Sequence, residues 1–188
     1  MRREVRLSGF GGQGIMTAGY ILGKAVALFD DRHVTLIKSY GPESRGGASS
    51  TQVIVSDNEI DYPHLTAPEL LVAMSQEAYA KYIDELSPGG TLIIDEDLVE
   101  LSRPRDDIVV RSVPATRIAD VELGRKIVAN IVMLGFVAAH TDIVSVDSLR
   151  KAVLSSIPEG TEELNTRAFE YGFHHGRREP VKACGGGW

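Results

Sequence analysis

A short glycine-rich stretch near the N-terminus has the residue types and spacing of a phosphate-binding loop. Gly9, Gly11 and Gly14 form a G-x-G-x-x-G pattern that follows an apolar strand segment and opens a segment with helical spacing. Glycine lets the backbone approach a phosphate, and a helix N-terminus presents unpaired N–H groups and positive potential. Gly12 and Gln13 complete the set of candidate ligand contacts in this loop. The alternative is a tight strand-to-helix turn that binds nothing.

A dinucleotide site of the usual kind is poorly supported. Such a site needs an acidic residue at the end of the second strand to hold the ribose. Asp30 and Asp31 precede the apolar segment 34–37, whose far end carries Lys38 and Ser39 instead. A free-standing nucleotide-binding protein, such as a small reductase, is therefore an alternative that the missing acidic residue disfavours.

A second polar loop, residues 39–50, is long for a compact α/β domain, and loops of this length usually have a function. Arg45 stands beside Gly46 and Gly47, so the loop can present a guanidinium and backbone N–H groups to an anion. Glu43 can orient Arg45 through an ion pair. The alternative is a structural ion pair that only ties the loop down.

These loops must be positioned by strands and helices that alternate along the chain. Apolar runs predict strands at 5–8, 34–37, 52–55, 70–74, 91–94 and 108–113. Helical spacing predicts helices at 15–29, 76–86, 124–140, 147–155 and 161–171. Ser75 and Asp147 are the predicted N-caps of two of these helices. The order of elements predicts an α/β fold, with a three-layer, mainly parallel, Rossmann-like sheet and C-terminal helices.

The predicted sheet places both loops at one edge. We expect residues 9–14 and 40–47 at the carboxyl ends of adjacent strands, where α/β sheets bind ligands. Asn130 is a single amide on an otherwise apolar helix, and burying an unpaired amide costs about 1–3 kcal/mol. Asn130 therefore predicts a hydrogen bond to a loop carbonyl, or support for the glycine-rich loops.

The composition excludes several classes of protein. The 188 residues fit a single domain, 1–188, with a glycine-rich, charged tail at 176–188 that is predicted to be mobile. The formal net charge of −6 argues against a nucleic-acid partner. The only cysteine, Cys184, cannot form an internal disulfide or hold an iron–sulfur cluster, and no histidine spacing predicts a metal site. The longest apolar run is too short to span a membrane, and no signal peptide is evident, so a cytoplasmic location is expected.

The two loops together resemble the γ subunits of the 2-oxoacid:ferredoxin oxidoreductases. The similarity extends over about residues 5–172 and includes segments 9–14, 39–47, 60–63, 71–79, 88–90 and 124–130. The sequences Ser-Tyr-Gly-Pro-Glu at 39–43 and Ser-Gln-Glu-Ala-Tyr at 75–79 are most similar to the 2-oxoglutarate branch. The pyruvate, branched-chain and indolepyruvate branches differ in these loops, and each is kept as an alternative.

The resemblance implies a role within a larger complex. It implies oxidative decarboxylation of 2-oxoglutarate with CoA to succinyl-CoA, CO₂ and reduced ferredoxin. Thiamine diphosphate, Mg and iron–sulfur clusters would lie on α, β and ferredoxin-like δ subunits, with ferredoxin as the electron acceptor. This chain alone would hold no cofactor and contribute no catalytic residue. It would complete the assembly and help form the CoA-side surface, through Gly9, Gly11, Gly12, Gln13, Gly14, Tyr40, Glu43, Arg45, Gly46, Gly47 and Asn130.

Overall fold

A computed structural model describes residues 1–40, 48–103 and 105–178, and in them six strands form one sheet in the order β2-β3-β1-β4-β5-β6. The strands are β1 (Arg2–Phe10), β2 (His33–Ser39), β3 (Ala48–Ser56), β4 (Leu70–Ala73), β5 (Thr91–Asp95) and β6 (Val109–Val113). Each predicted apolar run lies in one of them, except that Met74 and Ile108 fall one residue outside β4 and β6. The first three strands extend beyond the predicted segments because their polar outer residues also pair in the sheet.

The sheet is mainly parallel, as predicted, with β3 as its antiparallel member. β1, β4, β5 and β6 pair in parallel, whereas β3 is antiparallel to both β1 and β2. The prediction that the two loops follow adjacent strands is therefore wrong, since β3 lies between β1 and β2. However, Phe10 pairs with Ala48, and Ser39 pairs with Ser50. The glycine-rich loop and both ends of the second loop thus lie at the same edge of the sheet.

The helices are α1 (Ile15–Phe29), α2 (Gln76–Tyr82), the single turn α3 (Ala115–Arg117), α4 (Ala129–His140), α5 (Val146–Leu154) and α6 (Glu162–Arg178). The predicted helix at 124–140 is shorter than expected, because a π turn, Ile118–Glu122, and a 3-10 turn, Lys126–Val128, precede α4. The predicted helix at 76–86 also ends early, in a 3-10 turn, Ile83–Glu85. In contrast, α6 continues well past residue 171.

One of the two predicted N-caps is confirmed. The Ser75 hydroxyl accepts a hydrogen bond from the Ala78 N–H at the start of α2. Asp147 does not cap α5, because the Ser145 hydroxyl accepts the N–H of Ser148 instead.

Helices cover both faces of the sheet, which gives three layers. On one face, α1, α4, α5 and α6 pack on a core that includes Val5, Val72 and Ile93. On the other face, α2 packs on a smaller core that includes Leu71 and Leu92. Alternate residues of the central strands enter opposite cores, which explains why these strands are apolar throughout. Predictions about residues 179–188 lie outside the described residues.

The long helices α4 and α6 pack with their backbones in contact. A Cβ atom at Gly135 would overlap the carbonyl of Phe169, and one at Gly172 would overlap the carbonyl of Val132. Only glycine at these two positions permits such close packing. The contact fixes α4, whose first turn carries Asn130, relative to the start of α6.

Candidate functional site

The glycine-rich loop connects β1 to α1 through two left-handed residues. Gly12 has φ +97° and Gly14 has φ +74°, conformations that favour glycine. Gly14 is the N-cap of α1 and has no side chain, so no capping side chain occupies the first N–H groups of the helix. These N–H groups and the positive end of the helix dipole remain available to an anion.

Gln13 braces the loop through both ends of its side-chain amide. Its Oε1 accepts the N–H of Phe10 at 2.7 Å, and its Nε2 donates to the Met74 carbonyl at 2.7 Å. The amide therefore ties the loop to the residue that follows β4. Its predicted contact with a ligand stays a prediction, and the structure gives it a bracing role.

Asn130 braces the same loop from the other side. Its side chain is 5% exposed, and Nδ2 donates to the Gly14 carbonyl at 3.2 Å. The predicted hydrogen bond to a loop carbonyl is confirmed. Because that carbonyl belongs to the glycine-rich loop, Asn130 also supports the loop, and both readings of this residue hold.

The loop glycines divide into two that pack and two that are open. A Cβ atom at Gly9 would lie 2.5 Å from Gln13 Oε1, and one at Gly14 would overlap the Asn130 amide. In contrast, a Cβ at Gly12 would meet nothing within 4 Å, and one at Gly11 would meet only Ser49 Oγ at 4.0 Å. Gly11 and Gly12 thus form the open face of the loop, where a ligand can approach the backbone.

Two clefts adjoin the loop on either side of the start of α4. One, of about 270 Å³, is lined by Gly12, Gln13, Leu98, Thr116, Lys126, Ile127 and Ala129. We call it the loop cleft. The other, of about 320 Å³, lies between α1 and the start of α6 and includes Gly14, Asn130 and Asn165. A larger cleft, of about 580 Å³, lies along α6 and contains none of the predicted site residues.

Charged groups near the loop include two that sequence reasoning missed. Lys126 lines the loop cleft and pairs with Asp120 at 3.3 Å. Asp95 is fully buried at the carboxyl end of β5 and accepts hydrogen bonds from the backbone N–H and the hydroxyl of Thr116. Burial raises the pKa of the Asp95 carboxyl, against the opposing effect of these hydrogen bonds. An acidic residue directly after an apolar run was the signal for Asp95.

The second loop lies largely outside the described residues. Tyr40 is described and is 71% exposed at the end of β2. Glu43, Arg45, Gly46 and Gly47 lie outside the described residues, so their predicted roles stay predictions.

Large apolar side chains are exposed around the same edge of the sheet. They are Phe10, Tyr40, Leu98 and Ile127, and Ile127 is 68% exposed. Leu98 and Ile127 also line the loop cleft. Exposed apolar groups beside a cleft are typical of a surface that contacts another protein. In the described ranges, no group of three or more histidine, cysteine or acidic residues is arranged to hold a metal ion. No helix in the same ranges has the length and apolar character needed to cross a membrane.

The comparison with known proteins decides the family. Residues 4–175 match the family model of pyruvate ferredoxin/flavodoxin oxidoreductase. The chain belongs to this family. This match confirms the resemblance to the oxidoreductase family seen in the sequence.

Individual relatives are similar over nearly the whole chain. The chain is 52% identical to the 2-oxoglutarate synthase subunit KorC of Methanocaldococcus jannaschii, over 92% of this chain and 93% of the relative. It is 33% identical to the pyruvate synthase subunit PorC of Methanothermobacter thermautotrophicus, over 88% of this chain and 91% of the relative. Its fold is similar to the crystal structure of a keto/oxoacid ferredoxin oxidoreductase γ subunit from Geobacter sulfurreducens, with a TM-score of 0.86, 42% identity, and coverage of 94% and 97%.

Proposed function

We propose that this chain is the γ subunit of a 2-oxoglutarate:ferredoxin oxidoreductase. The complex would convert 2-oxoglutarate and CoA to succinyl-CoA and CO₂ and pass the electrons to ferredoxin. The choice of substrate rests on sequence identity. The chain is 52% identical to a 2-oxoglutarate synthase subunit and 33% identical to a pyruvate synthase subunit, at similar coverage.

The proposed complex assigns the redox chemistry to its other subunits. Thiamine diphosphate, Mg and iron–sulfur clusters would be held by α, β and δ subunits in the cytoplasm. When bound, CoA accepts the acyl group that decarboxylation leaves. This chain would complete the assembly and form part of the surface against which CoA binds.

The residues of the loop fit a phosphate of CoA. Gly11 and Gly12 leave their backbone open, and the N-terminus of α1 adds N–H groups without a capping side chain. Lys126, on the adjoining cleft, adds a positive charge. Gln13 and Asn130 hold the loop in place from opposite sides, so it needs little reordering when an anion binds. The exposed apolar groups around the loop would contact the neighbouring subunit.

The substrate is tested by purifying the tagged chain from its native host with the proteins that accompany it. Viologen reduction is then measured with 2-oxoglutarate, pyruvate, a branched-chain 2-oxoacid and indolepyruvate, each with and without CoA. We expect CoA-dependent activity that is highest with 2-oxoglutarate. Highest activity with another 2-oxoacid would correct the substrate. A chain that purifies alone and binds a nicotinamide cofactor would contradict the proposal.

The role of the second loop is tested with Arg45→Ala in the same complex. If Arg45 supplies positive charge to CoA, with Glu43 orienting it, the KM for CoA should rise while assembly stays intact. Arg167→Ala is the matched control, because this exposed arginine lines the remote cleft along α6. An Arg45→Ala complex with unchanged CoA dependence excludes this residue from the site.

A further inference from the structure

The sheet has an open edge at β2. In the part of the chain that the structure describes, β2 is the last strand on this side of the sheet and pairs only with β3. About half of the backbone N–H and C=O groups of such a strand point away from its neighbour. Among the described residues, none of these groups in β2 bonds to another element. A row of donors and acceptors that no protein group satisfies therefore runs along β2.

This edge lacks the features by which proteins usually protect an open strand. Such strands are short, bulged, interrupted by proline, or charged along their length. β2 has seven residues and no proline, and its register with β3 is continuous. Its one lysine, Lys38, lies near the end, and the half-buried segment 34–37 reads Val-Thr-Leu-Ile. β-Branched and apolar residues of this kind favour pairing with a further strand.

A groove of about 310 Å³ lies beside the open edge, between β2 and α1. Tyr20 and Leu28 of α1 form an apolar wall and are 50% and 67% exposed. Val34 and Leu36 of β2 line the opposite side, and a Cβ atom at Gly23 of α1 would lie only 3.4 Å from Leu36. A strand that pairs with β2 would direct every second side chain toward this groove.

The groove carries positive charge that the described residues do not neutralise. Lys24 and Lys38 line it, and no acidic residue is among its described lining residues. Lys24 donates to the Ser155 carbonyl at 2.7 Å and to the Ser156 hydroxyl at 3.1 Å, so it is held in place without a carboxylate. Lys38 is exposed and has no hydrogen bond or ion pair with any described residue. An acidic side chain on the added strand would complement both lysines.

A second copy of this chain would fit the groove poorly. Antiparallel pairing of β2 with its own copy would turn Lys38 of each copy toward the same face of the joined sheet. Each copy would bring both of its groove lysines and no groove carboxylate. Like charges on one face of paired strands oppose association. The charge of the groove therefore favours a different, acidic partner.

We propose that β2 is the docking edge for an extended segment of a partner polypeptide, which adds a seventh strand to the sheet and places apolar and acidic side chains in the groove beside α1. The added strand bonds to the outer backbone groups of β2. Its apolar side chains cover Tyr20 and Leu28, and its acidic side chain pairs with Lys38. This inference goes beyond the proposed function, because it does not depend on the substrate of the complex.

Hydrogen–deuterium exchange at single-residue resolution tests this pairing. The exchange of the β2 amides is compared between the isolated chain and the complex purified from the native host. We expect the outward amides to exchange rapidly in the isolated chain and at least about 10-fold more slowly in the complex. The inward amides bond to β3 in both samples and are the internal control.

The other outcomes overturn the inference in distinguishable ways. Outward amides that exchange equally fast in the isolated chain and in an active complex show that the edge is empty, while the proposed function stands. Protection that appears in the isolated chain and rises with its concentration shows that a second copy occupies the edge. A chain that purifies without partners contradicts both this inference and the proposed function.

A charge reversal tests the acidic character of the partner. In the complex, Lys38→Glu exchanges an attractive surface contact for a repulsive one, so the protection of the outward amides should fall about 5-fold. The difference should shrink in about 0.5 M salt, which screens surface charges. Lys151→Glu is the matched control, because this lysine is exposed on α5. Equal protection in the two variants would overturn the assignment of an acidic partner.

Discussion

Alanine substitutions at Gly11, Gly12 and Gly14 should lower the free energy of unfolding by three different amounts. Gly11 has neither a positive φ nor a close neighbour for an added Cβ atom. Gly12 has a positive φ but open space around it. Gly14 has both a positive φ and the Asn130 amide in the position of the added methyl group. The three variants therefore separate backbone strain from steric overlap within one loop.

The magnitudes follow from these two effects. Gly11→Ala should change stability by less than about 0.5 kcal/mol, as for an open surface position. Gly12→Ala should cost about 1–2 kcal/mol through its left-handed backbone conformation alone. Gly14→Ala adds displacement of a nearly buried amide from its hydrogen bond, a further ~1–3 kcal/mol, for a total of about 2–5 kcal/mol.

Urea unfolding followed by circular dichroism measures the three values, and an unchanged m-value shows that the unfolding transition is comparable. The double variant Gly14→Ala/Asn130→Ala removes the overlap, so its loss of stability should be smaller than the sum of the two single losses. Equal losses for Gly12→Ala and Gly14→Ala, or strict additivity in the double variant, would refute the reasoning.

Three further substitutions test the fold. Gly172→Ala should cost about 3 kcal/mol or more, because its methyl group forces α4 and α6 apart, and wild-type stability in urea would show that the helices are not in backbone contact. Ser75→Ala should cost about 1 kcal/mol through the lost cap of α2, and no loss would mean that the cap contributes nothing. Burial, followed by the charge of Arg111, lowers the pKa of His140 to about 4. Between pH 6.5 and 4 the unfolded chain therefore binds a proton that the folded chain does not, and stability falls as the pH falls. His140→Gln should flatten the dependence of the free energy of unfolding on pH. If the slope in this variant is no flatter than in the control variant His64→Gln, His140 is not the source of the pH dependence.

The sequence predicts the parts of the site that depend on local chemistry. The G-x-G-x-x-G pattern runs from the end of β1 to the start of α1 as expected. Glycine is needed at Gly9 for close packing and at Gly14 for both a positive φ and close packing. A buried amide must find a partner, which is why the hydrogen bond of Asn130 could be anticipated before its acceptor was known. Asn165 was missed, although one asparagine on the apolar side of a helix carries the same signal.

The features that depend on tertiary contacts could not be predicted. The apolar pattern of β3 is the same in either strand direction, so its antiparallel pairing with β1 and β2 left no local signal. Ser145 and Asp147 are both good capping residues. Ser145 is the cap in the structure. Its N–H and hydroxyl both donate to the carboxylate of Asp30, at the C-terminal end of α1, at 2.9 Å.

The central claim is that the open face of the glycine-rich loop forms part of the CoA-side surface. The most direct test is the KM for CoA and for 2-oxoglutarate in a purified complex that contains Gly11→Ala. This substitution adds a methyl group in front of the loop with neither backbone strain nor a clash inside the chain. We expect a higher KM for CoA, an unchanged KM for 2-oxoglutarate and intact assembly. An unchanged KM for CoA in a fully assembled complex would contradict the claim.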